Sequence, residues 1–68
     1  MIAVRVNGEE RHAEPGTTVG ALVREVRGAA GRGIAVARNE VVVPRSCWDD
    51  TDVSAGDRIE ILDAAQGG

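Results

Sequence analysis

Only one segment of the chain has apolar residues at helical spacing. Val19, Leu22, Val23 and Val26 lie at positions i, i+3, i+4 and i+7, which places them along one face of an α-helix. The other apolar segments alternate with polar residues at a period of two, which is typical of strands. A single helix cannot bury its apolar face alone. We therefore expect an α+β domain in which one helix packs on one face of a sheet.

The core must come from ordinary apolar residues. The chain has 68 residues, enough for one small domain. Cys47 is the only cysteine and His12 the only histidine, so neither an internal disulfide nor a Cys/His zinc site is expected. We find no acid–base pair or nucleophile triad and expect no catalytic residue and no metal site in this chain. Trp48, the only aromatic residue, is expected to fill the core.

The first half of the chain indicates a hairpin followed by the helix. Residues 1–6 alternate as a strand, and Asn7-Gly8 is the strongest short hairpin signal because both turn positions need positive φ. The polar segment Glu9–Ala13 is then the return strand, at an edge of the sheet. Thr17 or Thr18 can cap the helix with its hydroxyl. Gly28 can end the helix in a left-handed conformation.

The second half indicates three more strands. Ile34–Arg38 and Val41–Val43 are expected to pair around Asn39-Glu40, and Arg58–Asp63 is expected to return beside the first strand. Residues 45–51 between them look irregular. The predicted architecture is a mixed sheet of four to five strands in a domain spanning residues 1–63. Residues 64–68 carry no pattern and are expected to form a flexible C-terminal tail.

Three further features are given structural interpretations. The glycines of segment 28–33 have the order GxxGxG, but they follow a helix and the chain has no lysine, so a connector is favoured over a phosphate loop. Cys47 is expected to be a packed or half-buried thiol, because no neighbouring His or Lys would lower its pKa. His12 is expected to be a solvated surface residue.

The charge is divided unevenly along the chain. Residues 1–48 contain seven arginines and five acidic residues, whereas residues 49–68 contain one arginine and six acidic residues. An acidic end with a single aromatic argues against nucleic-acid binding. We expect it to surround the base of the tail and to steer the chain toward a basic protein. Asp49, Asp50 and Asp52 are favoured as solvated loop acids over a cation site.

The sequence also limits the location of the chain. Its apolar runs are far too short to span a bilayer, and its N-terminus lacks the pattern of a signal peptide. An unpaired cysteine without an export signal predicts the cytoplasm.

The last residues of the sequence, Gln66-Gly67-Gly68, suggest a chemical role for the tail. Five extended residues reach roughly 17 Å. Two glycines make the tip thin and conformationally free, so that it can enter a narrow tunnel and present the Gly68 carboxylate to a nucleotide. A terminal Gly-Gly alone is weak evidence, but it becomes strong after the strand and helix order described above.

That order resembles the β-grasp fold of ubiquitin-like proteins, and the motifs resemble the sulfur carrier proteins of thiamine biosynthesis, the ThiS family. The resemblance covers nearly the whole chain. The small Ala64-Ala65 departs from the bulkier aliphatic residues that members often carry there. The matching segments are Thr18-Val19 to Leu22, Ala37-Arg38-Asn39, Val43-Pro44-Arg45 to Trp48, Gly56-Asp57-Arg58-Ile59-Glu60-Ile61 and Gln66-Gly67-Gly68.

The resemblance implies a function in sulfur transfer. An adenylating enzyme of the ThiF type would use ATP and Mg²⁺ to activate the Gly68 carboxylate, and sulfur from a cysteine-derived persulfide would convert it to a thiocarboxylate. Thiazole synthase would then take that sulfur. Gly67 and Gln66 would thread into the partner. The chain would itself be no enzyme and would bind no cofactor.

Two apolar residues are expected on the outer face of the sheet. Val42 and Leu62 alternate with residues that face the core, so we expect them to form an exposed patch that partners grip. Two scattered surface residues are the simpler alternative. Two other functions also stay open. One is a sulfur carrier for another pathway, such as molybdopterin or a specialised metabolite, and the other is a β-grasp interaction module.

Overall fold

The computed structural model describes residues 1–28 and 33–63. Most of the predicted connector and all of the predicted tail, residues 64–68, lie outside the described residues. The described part of the chain forms five strands, one α-helix and one 3-10 helix, in the order β1 Ile2–Val6, β2 Glu9–Ala13, α1 Val19–Arg27, β3 Ile34–Arg38, β4 Val41–Val43, the 3-10 helix Arg45–Asp50 and β5 Arg58–Asp63.

The five strands form one mixed sheet in the order β2-β1-β5-β3-β4. The last strand, β5, lies at the centre, parallel to β1 and antiparallel to β3. The hairpins β1–β2 and β3–β4 are antiparallel, so β2 is an edge strand as predicted. Helix α1 covers one face of the sheet. This topology confirms the predicted β-grasp architecture.

The helix begins and ends near the predicted residues. Thr18 is the cap, because its Oγ1 accepts a hydrogen bond from Ala21 N at 3.1 Å, whereas Thr17 Oγ1 donates to Glu14 O. At the other end, Gly28 has φ of 87° as predicted, but its ψ of −171° lies outside the left-handed helical region. Val19, Leu22 and Val23 are buried in the core, and Val26 is partly buried against it.

Trp48 is buried beneath the helix and confirms the predicted core position. Its Nε1 donates to Val43 O at 2.9 Å, which satisfies the one polar group of the indole. The 3-10 helix that carries Trp48 turns the neighbouring Cys47 to the outside. The prediction of a packed or half-buried thiol is therefore wrong, since Cys47 is exposed.

Both hairpin turns use residues with positive φ. Asn7 and Gly8 have φ of 51° and 87°, which confirms the predicted turn between β1 and β2. The turn between β3 and β4 has the same geometry, with φ of 52° at Asn39 and 73° at Glu40. Glutamate at that second position is unfavourable, because a side chain raises the energy of the left-handed region.

Candidate functional site

The outer face of the sheet, opposite α1, carries a continuous apolar surface. Val42 and Leu62 are 70% and 63% exposed, as predicted. Ala37 lies beside Val42 in the β3–β4 register, and Ala35 lies beside Leu62 in the β3–β5 register. These four residues, Ala35, Ala37, Val42 and Leu62, are called the outer-face patch below. The two alanines lie between the two side chains that the sequence predicted to form a patch, and this arrangement favours the patch over two scattered residues.

Val41 also departs from the pattern expected of its strand. It alternates with Val42 and was therefore expected to face the core together with Val43, yet it is 68% exposed. Val41 is the first residue of an edge strand and pairs with Arg38 at the end of β3. Alternation places the side chain of Val41 on the same face of the sheet as α1, but the core does not cover the first residue of β4.

The outer-face patch lies close to where the proposed tail begins. Leu62 is the penultimate residue of β5, and the strand ends at Asp63. The Asp63 carboxylate accepts a hydrogen bond at 3.2 Å from Nη1 of Arg27, the last residue of α1. The predicted sulfur-carrying residue Gly68 and its neighbours Gly67 and Gln66 lie outside the described residues. The structure therefore fixes the end of β5 but not the tail.

The other end of β5 is held by a buried carboxylate. Asp57 is 6% exposed. Its Oδ2 accepts from Arg38 Nε and from the Ser54 amide, both at 2.7 Å, and its Oδ1 accepts from Asn39 Nδ2 at 3.0 Å. Asn39 Oδ1 in turn accepts from the Arg58 amide at 2.9 Å. This network joins the β3–β4 turn to the start of β5.

The network determines the charge state of Asp57. Burial by itself raises the pKa of this carboxyl, but the hydrogen bonds from Arg38, Asn39 and the Ser54 amide, with the positive charge of Arg38, outweigh it. The pKa therefore lies below the ordinary value for aspartate, and Asp57 is charged at neutral pH. Arg38-Asn39 and Gly56-Asp57-Arg58 were singled out as matching motifs. The structure gives them this shared structural role, which spacing alone did not reveal.

The acidic residues near the C-terminus do not surround the end of β5, so that prediction is wrong. Asp52 forms a backbone bridge with Thr18, and Thr51 O accepts from Val19 N, which places this segment at the start of α1. Asp63 lies at the opposite end of the helix, beside Arg27. Folding thus separates acids that are close in the sequence.

The remaining candidates stay on the surface. His12 is exposed, as predicted, with its Nε2 at 3.4 Å from a Glu10 carboxylate oxygen. Asp49, Asp50 and Asp52 are exposed, as expected of loop acids. Among residues 1–28 and 33–63, no three His, Cys, Asp or Glu side chains cluster as metal ligands would. Within the same residues, α1 is too short and too polar to cross a membrane.

Comparison with known proteins gives consistent results. Residues 4–68 match the model of the ThiS family. A thiazole synthase of Paramagnetospirillum magneticum is 41% identical over 63 residues, which are 93% of this chain but 19% of that protein, so the chain spans about a fifth of that relative's length.

Two solved structures resemble the fold. A crystal structure of the thiamine biosynthesis protein ThiS from Geobacter metallireducens has a TM-score of 0.79 and 27% identity, covering 90% of this chain and 91% of that one. A solution NMR structure of a thiamine biosynthesis protein from the same organism has a TM-score of 0.72 and 27% identity, covering 90% and 81%. With a family match over nearly its whole length and the same arrangement of strands and helix, the chain belongs to the ThiS family.

Proposed function

We propose that this protein is a sulfur carrier of thiamine biosynthesis, acting in formation of the thiazole ring. The match to the ThiS family over residues 4–68 carries the proposal. The sulfur is held as a thiocarboxylate at Gly68. The chain acts as a protein co-substrate, and the catalytic groups belong to its partner enzymes. The exposed, unpaired thiol of Cys47 fits a reducing compartment such as the cytoplasm.

The chemistry follows from the properties of a carboxylate. A carboxylate is a poor electrophile because its leaving group would be oxide. The ThiF-type adenylating enzyme transfers AMP from ATP to a Gly68 oxygen and releases pyrophosphate. The terminal sulfur of a cysteine-derived persulfide then attacks the carbonyl carbon and displaces AMP, which leaves an acyl disulfide. A second thiol attacks the donor's sulfur of that bond, so that the Gly68 thiocarboxylate is released and a new disulfide is left on the donor. ATP and Mg²⁺ are bound by the partner, so this chain supplies only the carboxylate and the surface that presents it.

The outer-face patch is the docking surface in this proposal. Leu62 lies one residue before the end of β5, so a partner that holds Leu62 also fixes the point from which residues 64–68 extend. Val42 and the two alanines widen the apolar contact across β3 and β4. Large exposed apolar residues grouped in this way mark protein interaction surfaces more often than scattered ones do.

Thiazole synthase is the proposed acceptor of the sulfur. The curated relative is named a thiazole synthase, and this chain matches only about a fifth of its length. We infer that a carrier unit and a synthase unit share one polypeptide in that relative. Joining the two units raises the effective concentration of the carrier at the synthase, as expected of two proteins that act one after the other.

Intact-mass analysis tests the function. The chain is incubated with an adenylating enzyme of its own genome, ATP, Mg²⁺, a persulfide donor and a thiol reductant. We expect the mass increase that accompanies replacement of one oxygen by sulfur, and a variant lacking Gly67 and Gly68 should show none. Transfer to thiazole synthase distinguishes this pathway from molybdopterin or another sulfur pathway. Unchanged partner affinity without Gly67 and Gly68, and no mass increase, would instead indicate an interaction module.

A charge on the outer-face patch tests the docking surface. Burying a leucine contributes about 1.5–3 kcal/mol, so Leu62→Glu should raise the KM for adenylation by about tenfold or more. His12→Glu is the matched control, because His12 lies on the same outer face but on the far edge strand β2. Circular dichroism establishes that both variants are folded. An unchanged KM in folded Leu62→Glu would contradict the docking role.

A further inference from the structure

The end of β5 extends past the strand beside it. Arg5 N donates to Asp57 O, just before β5, and Asn7 N donates to Ile59 O in β5, both at 2.9 Å, so the carbonyl groups of these two residues face β1. Because strand groups alternate with a period of two, the N–H and C=O of Ile61 face the same side. However, β1 ends at Val6, where the chain turns away. The end of β5 therefore extends past β1, although β3 pairs with it on the other side as far as Asp63.

The side chain of Asn7 takes the place of the missing strand. Its Oδ1 accepts from Ile61 N at 2.8 Å, and its Nδ2 donates to Ile61 O at 3.2 Å. A carboxamide carries the same donor and acceptor as a peptide group. The backbone of Asn7 is already part of the hairpin turn, with φ of 51°. Its side chain nevertheless continues the hydrogen bonding between β1 and β5 by one more residue of β5. In the sequence, Asn7 was explained fully by the Asn7-Gly8 turn, so its hydrogen bonds to Ile61 were not predicted.

The last residue of β5 is also held from the helix side. Asp63 follows Ile61 on the same face of the sheet as α1, and Arg27 Nη1 lies 3.2 Å from its carboxylate. The side chains are 33% and 45% exposed, so this ion pair alone contributes little to stability. Asn7 and Arg27 together hold the last three residues of β5 in two directions, within the sheet and from above it.

We propose that Asn7 is a positioning residue for adenylation of the C-terminus, with Arg27 as its secondary support. This inference rests on the proposed function. β3 holds Ile61 to Asp63 on one side, and Asn7 holds Ile61 on the other, so that the five residues that follow leave from a fixed point in a fixed direction. The outer-face patch then supplies affinity for the partner, whereas Asn7 determines how often the docked chain places its carboxylate at the nucleotide.

The loss of Asn7 should affect kcat rather than KM. β3 still pairs with Ile61 to Asp63 when Asn7 is lost, so these residues detach from the sheet for only part of the time. While they are detached, the segment that carries the carboxylate grows from five residues to eight. Effective concentration falls with roughly the −3/2 power of length, which gives at most about a twofold decrease, and the lost direction adds to it. We expect kcat to fall by about twofold. KM should stay constant because the outer-face patch is unchanged.

Asn7→Gly is the test variant, and Asn39→Gly is its matched control. Glycine accepts positive φ, so both substitutions preserve the turn and remove only the side-chain hydrogen bonds. Asn39 has φ of 52° and also binds a β5 backbone amide, that of Arg58, but at the start of the strand. Both variants thus lose similar bonds, at opposite ends of β5. Asn7→Asp, which keeps only the acceptor for Ile61 N, gives a milder second variant.

Two measurements decide the question. On the chain alone, amide hydrogen exchange at Ile61 should accelerate in Asn7→Gly and stay unchanged in Asn39→Gly. In steady-state adenylation with ATP and the adenylating enzyme, only the Asn7 variants should lose kcat, with Asn7→Asp intermediate. A kcat in folded Asn7→Gly equal to that of Asn39→Gly, or unchanged exchange at Ile61, overturns the positioning role. Absence of adenylation in the unsubstituted chain overturns the proposed function itself, and the inference with it.

Discussion

Replacing Asp57 by asparagine should reveal how much of the stability depends on one buried charge. The two side chains have nearly the same shape, so the substitution leaves packing unchanged. The partners of Asp57 in this network are all donors: Arg38 Nε, Asn39 Nδ2 and the Ser54 amide. An asparagine can present only one acceptor oxygen to them, and its NH₂ group must then face another N–H.

The expected cost is large for a domain of this size. Asn39 cannot turn its own oxygen toward the new NH₂ group, because that oxygen already accepts from the Arg58 amide. The variant therefore loses the charge-assisted hydrogen bond from Asn39, leaves a buried NH₂ group without an acceptor, and gives Arg38 a neutral oxygen in place of a carboxylate. Together these losses cost about 3 kcal/mol. For a domain of this length, that lowers Tm by about 12–24 °C.

The same substitution should change the dependence of stability on pH. The pKa of Asp57 is lowered in the folded state, so the folded protein binds fewer protons here than the unfolded chain. Its contribution is complete above the unfolded pKa of about 4 and is lost as pH falls through the lower folded pKa. The unsubstituted chain should thus lose stability on acidification below about pH 4, and Asp57→Asn should lack that part of the decrease.

Urea titration followed by Trp48 fluorescence measures both effects. Trp48 is the only tryptophan and is buried, so its emission reports on unfolding of the core. Asp50→Asn is the control, because Asp50 is exposed and its substitution should change the free energy of unfolding by less than about 0.5 kcal/mol. A loss below about 1 kcal/mol in Asp57→Asn would refute the argument that three donors need a carboxylate.

Two further substitutions test backbone geometry at single positions. Glu40→Gly should raise the free energy of unfolding by about 0.5–1 kcal/mol in urea titration. The φ of 73° is unfavourable for any residue with a side chain, and the exposed ion pair between Glu40 and Arg58 is too weak to compensate. A decrease in the free energy of unfolding would contradict this. Gly20→Ala should not give the gain of about 1 kcal/mol usual in a helix, because the added Cβ would contact the Asp49 carboxylate. That gain should return in an Asp49→Ala background, and its absence there would refute this explanation.

The elements of the fold could be predicted because each has a local cause. The helix follows from one apolar stripe with a threonine cap, and the first hairpin follows from Asn7-Gly8. The return of β5 beside the first strand was expected and is confirmed. Burial of Trp48 was expected from the scarcity of large residues in the core. Each of these inferences needed only neighbouring residues and the requirement to cover one apolar face.

The contacts that hold β5 could not be predicted, because they join residues far apart in the sequence. Asn7 and Ile61 are 54 positions apart, and Asn39 and Asp57 are 18 apart. Local reasoning explained both asparagines by their turns, and that explanation was sufficient in itself. A signal was present, since Asn39 and Asp57 stood within the motifs of the family resemblance. Only the register of the sheet shows that a turn residue also binds the neighbouring strand.

The uneven charge along the chain is better explained by folding than by steering. Asp49, Asp57 and Asp63 lie beside Arg24, Arg38 and Arg27 respectively, so three acids from the C-terminal part meet arginines from the N-terminal part. The pairs involving Arg24 and Arg27 are exposed and contribute little to stability, but they offset most of the local field that the sequence suggested. Among the described acids near the end of β5, Asp63 is paired and Glu60 is exposed without an ion pair, so the charge there is smaller than the sequence suggested. The proposed docking at Leu62 would therefore depend more on its apolar surface than on long-range attraction.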